Sequence, residues 1–204
     1  MLRILSTAAL LAALALPAGA TPVLSEVFYD ATGSDDGHSF VEIYGAPGTD
    51  LVGLTIEGIN GSNGAVTDSV ALSGLIPSDG LFVVADALAD GTSLVADFDL
   101  LADFDFQNGP DSVVLRDAGG VLDALGYGSF GAGDSFAGEG AAAPDAPADS
   151  SLARLFADVD TGDNASDFAV GAPTPGQAPT SVPEPGTAAL LGLGLLGLAR
   201  RPRV

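Results

Sequence analysis

Between residues 21 and 182 no stretch sustains an apolar period of 3.6 residues, and this limits the chain's fold more than any other feature. The apolar residues form short runs instead, at 23–29, 40–44, 54–56, 66–72, 81–85, 112–116, 121–125 and 151–156. Each has strand length and is bounded by Gly, Pro, Asp or Ser. Most of the 28 Gly and 13 Pro fall between the runs, where they break elements and close turns. Alternation in 40–44 places Phe40, Glu42 and Tyr44 on one face, and Val41 and Ile43 on the other. The continuous run 81–85 suits a strand covered on both faces. Asp117-Ala118-Gly119-Gly120 between two runs is a hairpin turn. The pattern predicts an all-β domain, a sandwich or barrel. Residues 131–150, rich in Gly, Ala, Pro and Asp, read as a long mobile loop. Residues 171–182, with Pro173, Pro175 and Pro179, read as a semi-rigid spacer.

Charge divides the chain into three segments. The net charge is −21, and all six bases are arginine. Arg3 lies at one end and Arg200, Arg201 and Arg203 at the other. Residues 21–182 hold only Arg116 and Arg154 against 26 acids. Two arginines cannot build the basic face that phosphates require, so no nucleic-acid partner is expected. Without Cys there is no disulfide scaffold, thiol catalysis or Cys-ligated metal. With one histidine, His38, there is no multi-histidine metal site.

The ends read as addresses. Met1-Leu2-Arg3, an apolar run over 4–16, Pro17 and the small-x-small Ala18-Gly19-Ala20 form a secretory signal peptide over 1–20, cut by signal peptidase after Ala20. At the other end stand Pro183-Glu184-Pro185, twelve residues of Ala, Leu and Gly over 188–199, and an arginine cluster. Twelve helical residues span about 18 Å, short of the bilayer core of about 30 Å. The segment suits transient membrane insertion, with its arginines on the cytoplasmic side. Residues 183–204 resemble the PEP-CTERM sorting signal of Gram-negative bacteria. The resemblance implies that an exosortase recognises the tail and cuts near Pro183, Glu184 and Pro185. It also implies a link to exopolysaccharide, biofilm or floc formation.

The middle carries a second resemblance. Leu24-Ser25-Glu26-Val27-Phe28-Tyr29 followed by Phe40-Val41-Glu42-Ile43-Tyr44 looks like the opening of a lamin tail domain. Gly120-Val121-Leu122-Asp123-Ala124-Leu125-Gly126-Tyr127-Gly128 is similar to its later hairpin. Ser151-Leu152-Ala153-Arg154, Asp160-Thr161-Gly162-Asp163-Asn164, Asp167-Phe168 and Thr174-Pro175-Gly176 are similar to its close. Ser39 and Gly45 depart from that pattern, as does the lack of Trp. The resemblance implies an immunoglobulin-like β-sandwich over 21–170, with short apolar helices at both termini of the whole chain. It implies a binding or tethering module and not a filament protein, since no heptad rod is present.

Candidate chemistry is sparse. Asp158, Asp160, Asp163 and Asp167 surround Gly162 in the manner of a calcium loop, since Ca²⁺ takes oxygens from a flexible turn. The terminal bidentate Glu of an EF-hand is missing, and turn or capping duty explains the same residues. Calcium is thus the one cofactor the sequence suggests, and none is required. Asp97, Asp99, Asp103 and Asp105 alternate with Phe98, Leu100, Leu101, Phe104 and Phe106, as an acidic surface row over an apolar one. Arg116 and Arg154, isolated among acids, are expected to pair structurally with carboxylates. No nucleophile–base pair stands out. The sequence therefore reads as an exported, non-enzymatic envelope or extracellular protein, used in adhesion, matrix or surface display. Signal peptidase, an exosortase and a surface glycan are its expected partners. An extracellular hydrolase, or an accessory module of one, is the alternative.

Overall fold

The computed structural model describes residues 21–180. The signal peptide expected over 1–20, with Ala18 and Ala20, and the C-terminal segment 183–204 lie outside these residues. Ten strands form two sheets. They are β1 (Val23–Phe28), β2 (Phe40–Tyr44), β3 (Thr55–Asn60), β4 (Val66–Ala71), β5 (Leu81–Asp86), β6 (Leu100–Ala102), β7 (Asp111–Asp117), β8 (Gly120–Tyr127), β9 (Ser151–Arg154) and β10 (Phe168–Gly171). One four-residue helix, α1 (Asn164–Asp167), precedes β10. The larger sheet runs β10-β9-β1-β2-β5-β6, antiparallel except for the parallel pair β5–β6. The smaller runs β4-β3-β7-β8. Among the described residues no helix is long and apolar enough to cross a membrane.

The two sheets enclose one core. The larger contributes Leu24, Val27, Val41, Ile43, Val84 and Leu152; the smaller contributes Ile56, Val113, Leu115 and Leu125. Val41 and Ile43 therefore point inward, as alternation predicts. The outer face of the larger sheet is also covered. Phe28, Phe40, Val83 and Ala85 form a second apolar cluster there with Val95. The segment after β10 covers Glu26 and Glu42, both buried. Burial on both faces explains why β5 is apolar throughout.

Three segments differ from the sequence expectation. Residues 131–150 hold no strand, yet the loop is pinned. Ala143 bonds Gly126 and Gly128 along the edge of β8. The Tyr29 hydroxyl donates to Asp145 and accepts from the Ala146 N–H. The run 151–156 pairs only to Arg154, leaving Leu155 and Phe156 exposed, while β10, beyond it, carries the sheet edge. Residues 172–180, the described part of the spacer read over 171–182 beyond β10, bond to the domain at Thr174, Gly176 and Pro179. Donors on the strap meet buried acceptors on the sheet, a pairing set by long-range geometry that proline content does not reveal.

Candidate functional site

A buried polar cluster is centred on Arg154, whose side chain is fully buried where the two sheets meet. Strand β9 brings the guanidinium to Asp123 of β8. Its Nη2 lies 2.9 and 3.1 Å from the two carboxylate oxygens. Nη1 donates to Asp167 at 2.9 Å and to the Val159 carbonyl at 3.2 Å, with Asp160 at 3.4 Å. Nε donates to the Leu24 carbonyl at 3.0 Å. The guanidinium stacks 4.5 Å from the centre of the Phe168 ring. A planar fork of five donors suits this site, where lysine's point charge would not.

The acids around it are themselves tied. Asp123 accepts from the Leu24 and Ala124 N–H groups. Asp167 accepts from the Thr161 N–H and hydroxyl. Asn164 is a buried bracket beside them. Its Oδ1 accepts from Gly126 and Glu139, and its Nδ2 donates to the Ala124 carbonyl. Gly138 packs directly on Gly126 and Asn164, where any Cβ would collide. So the run from Asp160 to Asp167 is a fastener between the loop 131–150, β8 and β9. Turn and bracket chemistry accounts for its polar spacing.

Of the four carboxylates singled out by their spacing, the structure brings Asp160 and Asp167 to Arg154. Asp163 turns away to accept from Ala141 N–H and the Ser166 hydroxyl. Only Asp160 belongs to a set of carboxylates with oxygens within 4.8 Å of one another. The other members are Asp123 and Glu139. The guanidinium already sits on two of these three acids as their counter-cation. Burial raises the Asp123 carboxyl above the usual range, opposed by Arg154. Burial also pushes Glu139 up to about 7, and Asp123 and Asp160 add to the rise. Glu139 Oε2 is buried without a hydrogen-bond partner. Glu139 carries no sequence signal, since only the fold of the loop brings it to Asp123.

The remaining candidates are simpler. Arg116 bonds Glu57 on the neighbouring strand at 2.9 Å and is 41% exposed. Asp103 and Asp105 are exposed while Phe104 and Phe106 are buried, so the acid-out, ring-in alternation is observed there. The strand itself covers only Leu100–Ala102, and Asp99 caps the Val83 N–H. Asp103 and Asp105 line, with Asp35, Asp36 and Asp86, an acidic depression of about 330 Å³. His38 is exposed in a loop.

Residues 181–204, which follow the described strap, match the PEP-CTERM protein-sorting motif. They contain Pro183, Glu184, Pro185, Arg200, Arg201 and Arg203. This signal makes the chain an exosortase-sorted, exported protein, placed at the surface or outside the cell in bacteria. No curated protein and no solved structure matches the chain.

Proposed function

We propose that the β domain is a non-enzymatic, immunoglobulin-like module of the lamin-tail type, displayed at the envelope of a Gram-negative bacterium for adhesion or matrix attachment. The observation that carries this reading is the sorting motif joined to a two-sheet domain in which Arg154, Asp123, Asp167, Glu26 and Glu42 are committed to internal bonds. The lamin-tail resemblance supports it, because the pieces that carry it meet in space. Asp123, Arg154, Asp160 and Asp167 belong to one cluster. Glu26, Glu42, Thr174 and Gly176 belong to another. Buried polar networks of this kind specify one packing arrangement, which suits a display module whose surface is free to bind.

The acidic surface favours a neutral or cation-bridged glycan over an anionic partner. The test is pull-down of the exported protein on surface polysaccharide, run beside turnover assays on glycans and esters. Retention on glycan without turnover supports the reading. Turnover at the acidic depression, abolished by Asp105→Asn, replaces it with the hydrolase. In cell fractionation, a triple-alanine variant of Pro183, Glu184 and Pro185 stays in the membrane fraction, while wild type reaches the surface or medium.

A further inference from the structure

On the outer face of the larger sheet, Glu26 of β1 and Glu42 of β2 stand side by side as register partners. They are 2% and 0% exposed. Neither meets a basic side chain among the described residues, where Arg116 and Arg154 are engaged elsewhere. Their partners are all neutral donors. The hydroxyl of Ser151 donates to Glu26 at 2.5 Å, and that of Ser25 to Glu42 at 2.7 Å. The other donors come from the strap. The Thr174 N–H and hydroxyl reach the two oxygens of Glu26 at 2.9 and 2.8 Å, and the Gly176 N–H reaches Glu42 at 2.7 Å. The strap is pinned once more, where the Ala157 N–H donates to the Pro179 carbonyl.

We infer that residues 172–180 form a latch, seated on the Glu26–Glu42 pair, which lifts from the sheet when both carboxylates are ionised. Two adjacent buried carboxylates without a counter-cation cannot both be charged at low cost, so closure favours a proton on one of them. Burial raises both groups, Glu42 to about 7, with the Glu26 charge adding to the rise. Ser25 and Gly176 oppose it at Glu42, and Asp79, in the turn before β5, reinforces it. With the strap lifted, water solvates both groups and both values fall toward the ordinary carboxylate range. The closed pKa exceeds the open one. Closure is therefore fully favoured below the open value and weakens as pH rises through about 7.

A groove of about 340 Å³ lies beside the strap, lined by Asp79, Asp97, Asp99, Pro175 and Gly176. The latch also sets the tether to the sorting motif, which starts at residue 181. When closed, the chain is held at Gly176 and Pro179. When open, it is free from the end of β10.

Amide hydrogen exchange on the full chain, corrected for intrinsic rates, tests this. From about pH 5.5 to about pH 8.5, protection at Thr174 and Gly176 falls by about tenfold or more beyond any fall at Leu115 in β7. Glu42→Gln keeps an acceptor for Gly176 without the charge, and shrinks the pH response to the share of Glu26. Should that variant not fold, Thr174→Val lowers protection at residues 174 and 176 already near the acid end, with the sheet amides unchanged. Strap protection in wild type that follows Leu115 across the whole range overturns the latch. So does a pH response undiminished in Glu42→Gln, or a Thr174→Val strap as protected as wild type.

Discussion

Two clusters of buried acids sit on opposite faces of the larger sheet, and they solve the same electrostatic problem differently. Between the sheets, Asp123 and Asp167 surround a guanidinium that returns both charge and directed donors. Under the strap, Glu26 and Glu42 receive only hydroxyls and N–H groups. A buried acid with a cation is a fixed joint, because removing either partner strands a charge. A buried acid with only neutral donors remains a titrating group, because protonation relieves it. The first arrangement locks the two sheets, and the second holds a chain segment reversibly.

Breaking the joint gives the largest effect. Arg154→Ala leaves Asp123 and Asp167 buried without their cation and destabilises the domain by about 3–5 kcal/mol in chemical denaturation. A loss below about 1 kcal/mol would show that water replaces the guanidinium freely. Arg154→Lys recovers only part of the loss, since an ammonium cannot span Asp123, Asp167 and the Leu24 carbonyl together.

The strap pair is sharpened by pH. Wild type gains stability as pH falls from about 8 to about 5, because Glu42 and Glu139 take up protons more readily folded than unfolded. Glu42→Gln removes its share, raising stability near pH 8 by up to about 3 kcal/mol and leaving the acid end little changed. A pH-independent melting temperature in wild type would contradict the assignment. Arg116→Ala, at a half-exposed pair, costs under about 1 kcal/mol, and that cost shrinks further in salt. Calcium tests whether the joint has room for a second cation. With Arg154 in place, Ca²⁺ should shift the melting temperature no more than equal Mg²⁺ does. A calcium-specific rise lost in Asp160→Asn would reopen the ion site.

The strand runs were legible because each alternates or is continuously apolar over strand length, and glycines and prolines mark their ends. Arg154 was legible as a residue needing carboxylates, since only two bases stand among so many acids. Its main partner was not. Asp123 lies in another sheet, and local spacing points to the aspartates after residue 157. Of those, Asp160, Asp163 and Asp167 serve as turn groups, and Asp160 and Asp167 also reach the guanidinium. Glu42 was placed correctly on the face opposite Val41 and Ile43, but alternation says only which way a side chain points. It does not say whether that face is wet. The strap and the loop before β6 decide this, and they bury what a one-sided sheet would expose.

By itself the sequence determined most of the strand content, the acidic surface and the sorting address. These depend on residue type, short-range period and terminal motifs. Tertiary structure alone decided which acids meet a cation and which meet only hydrogen-bond donors. Charge pairing is chosen by distance and dielectric between residues far apart in the chain, and both exist only once the sheets and the strap are in place.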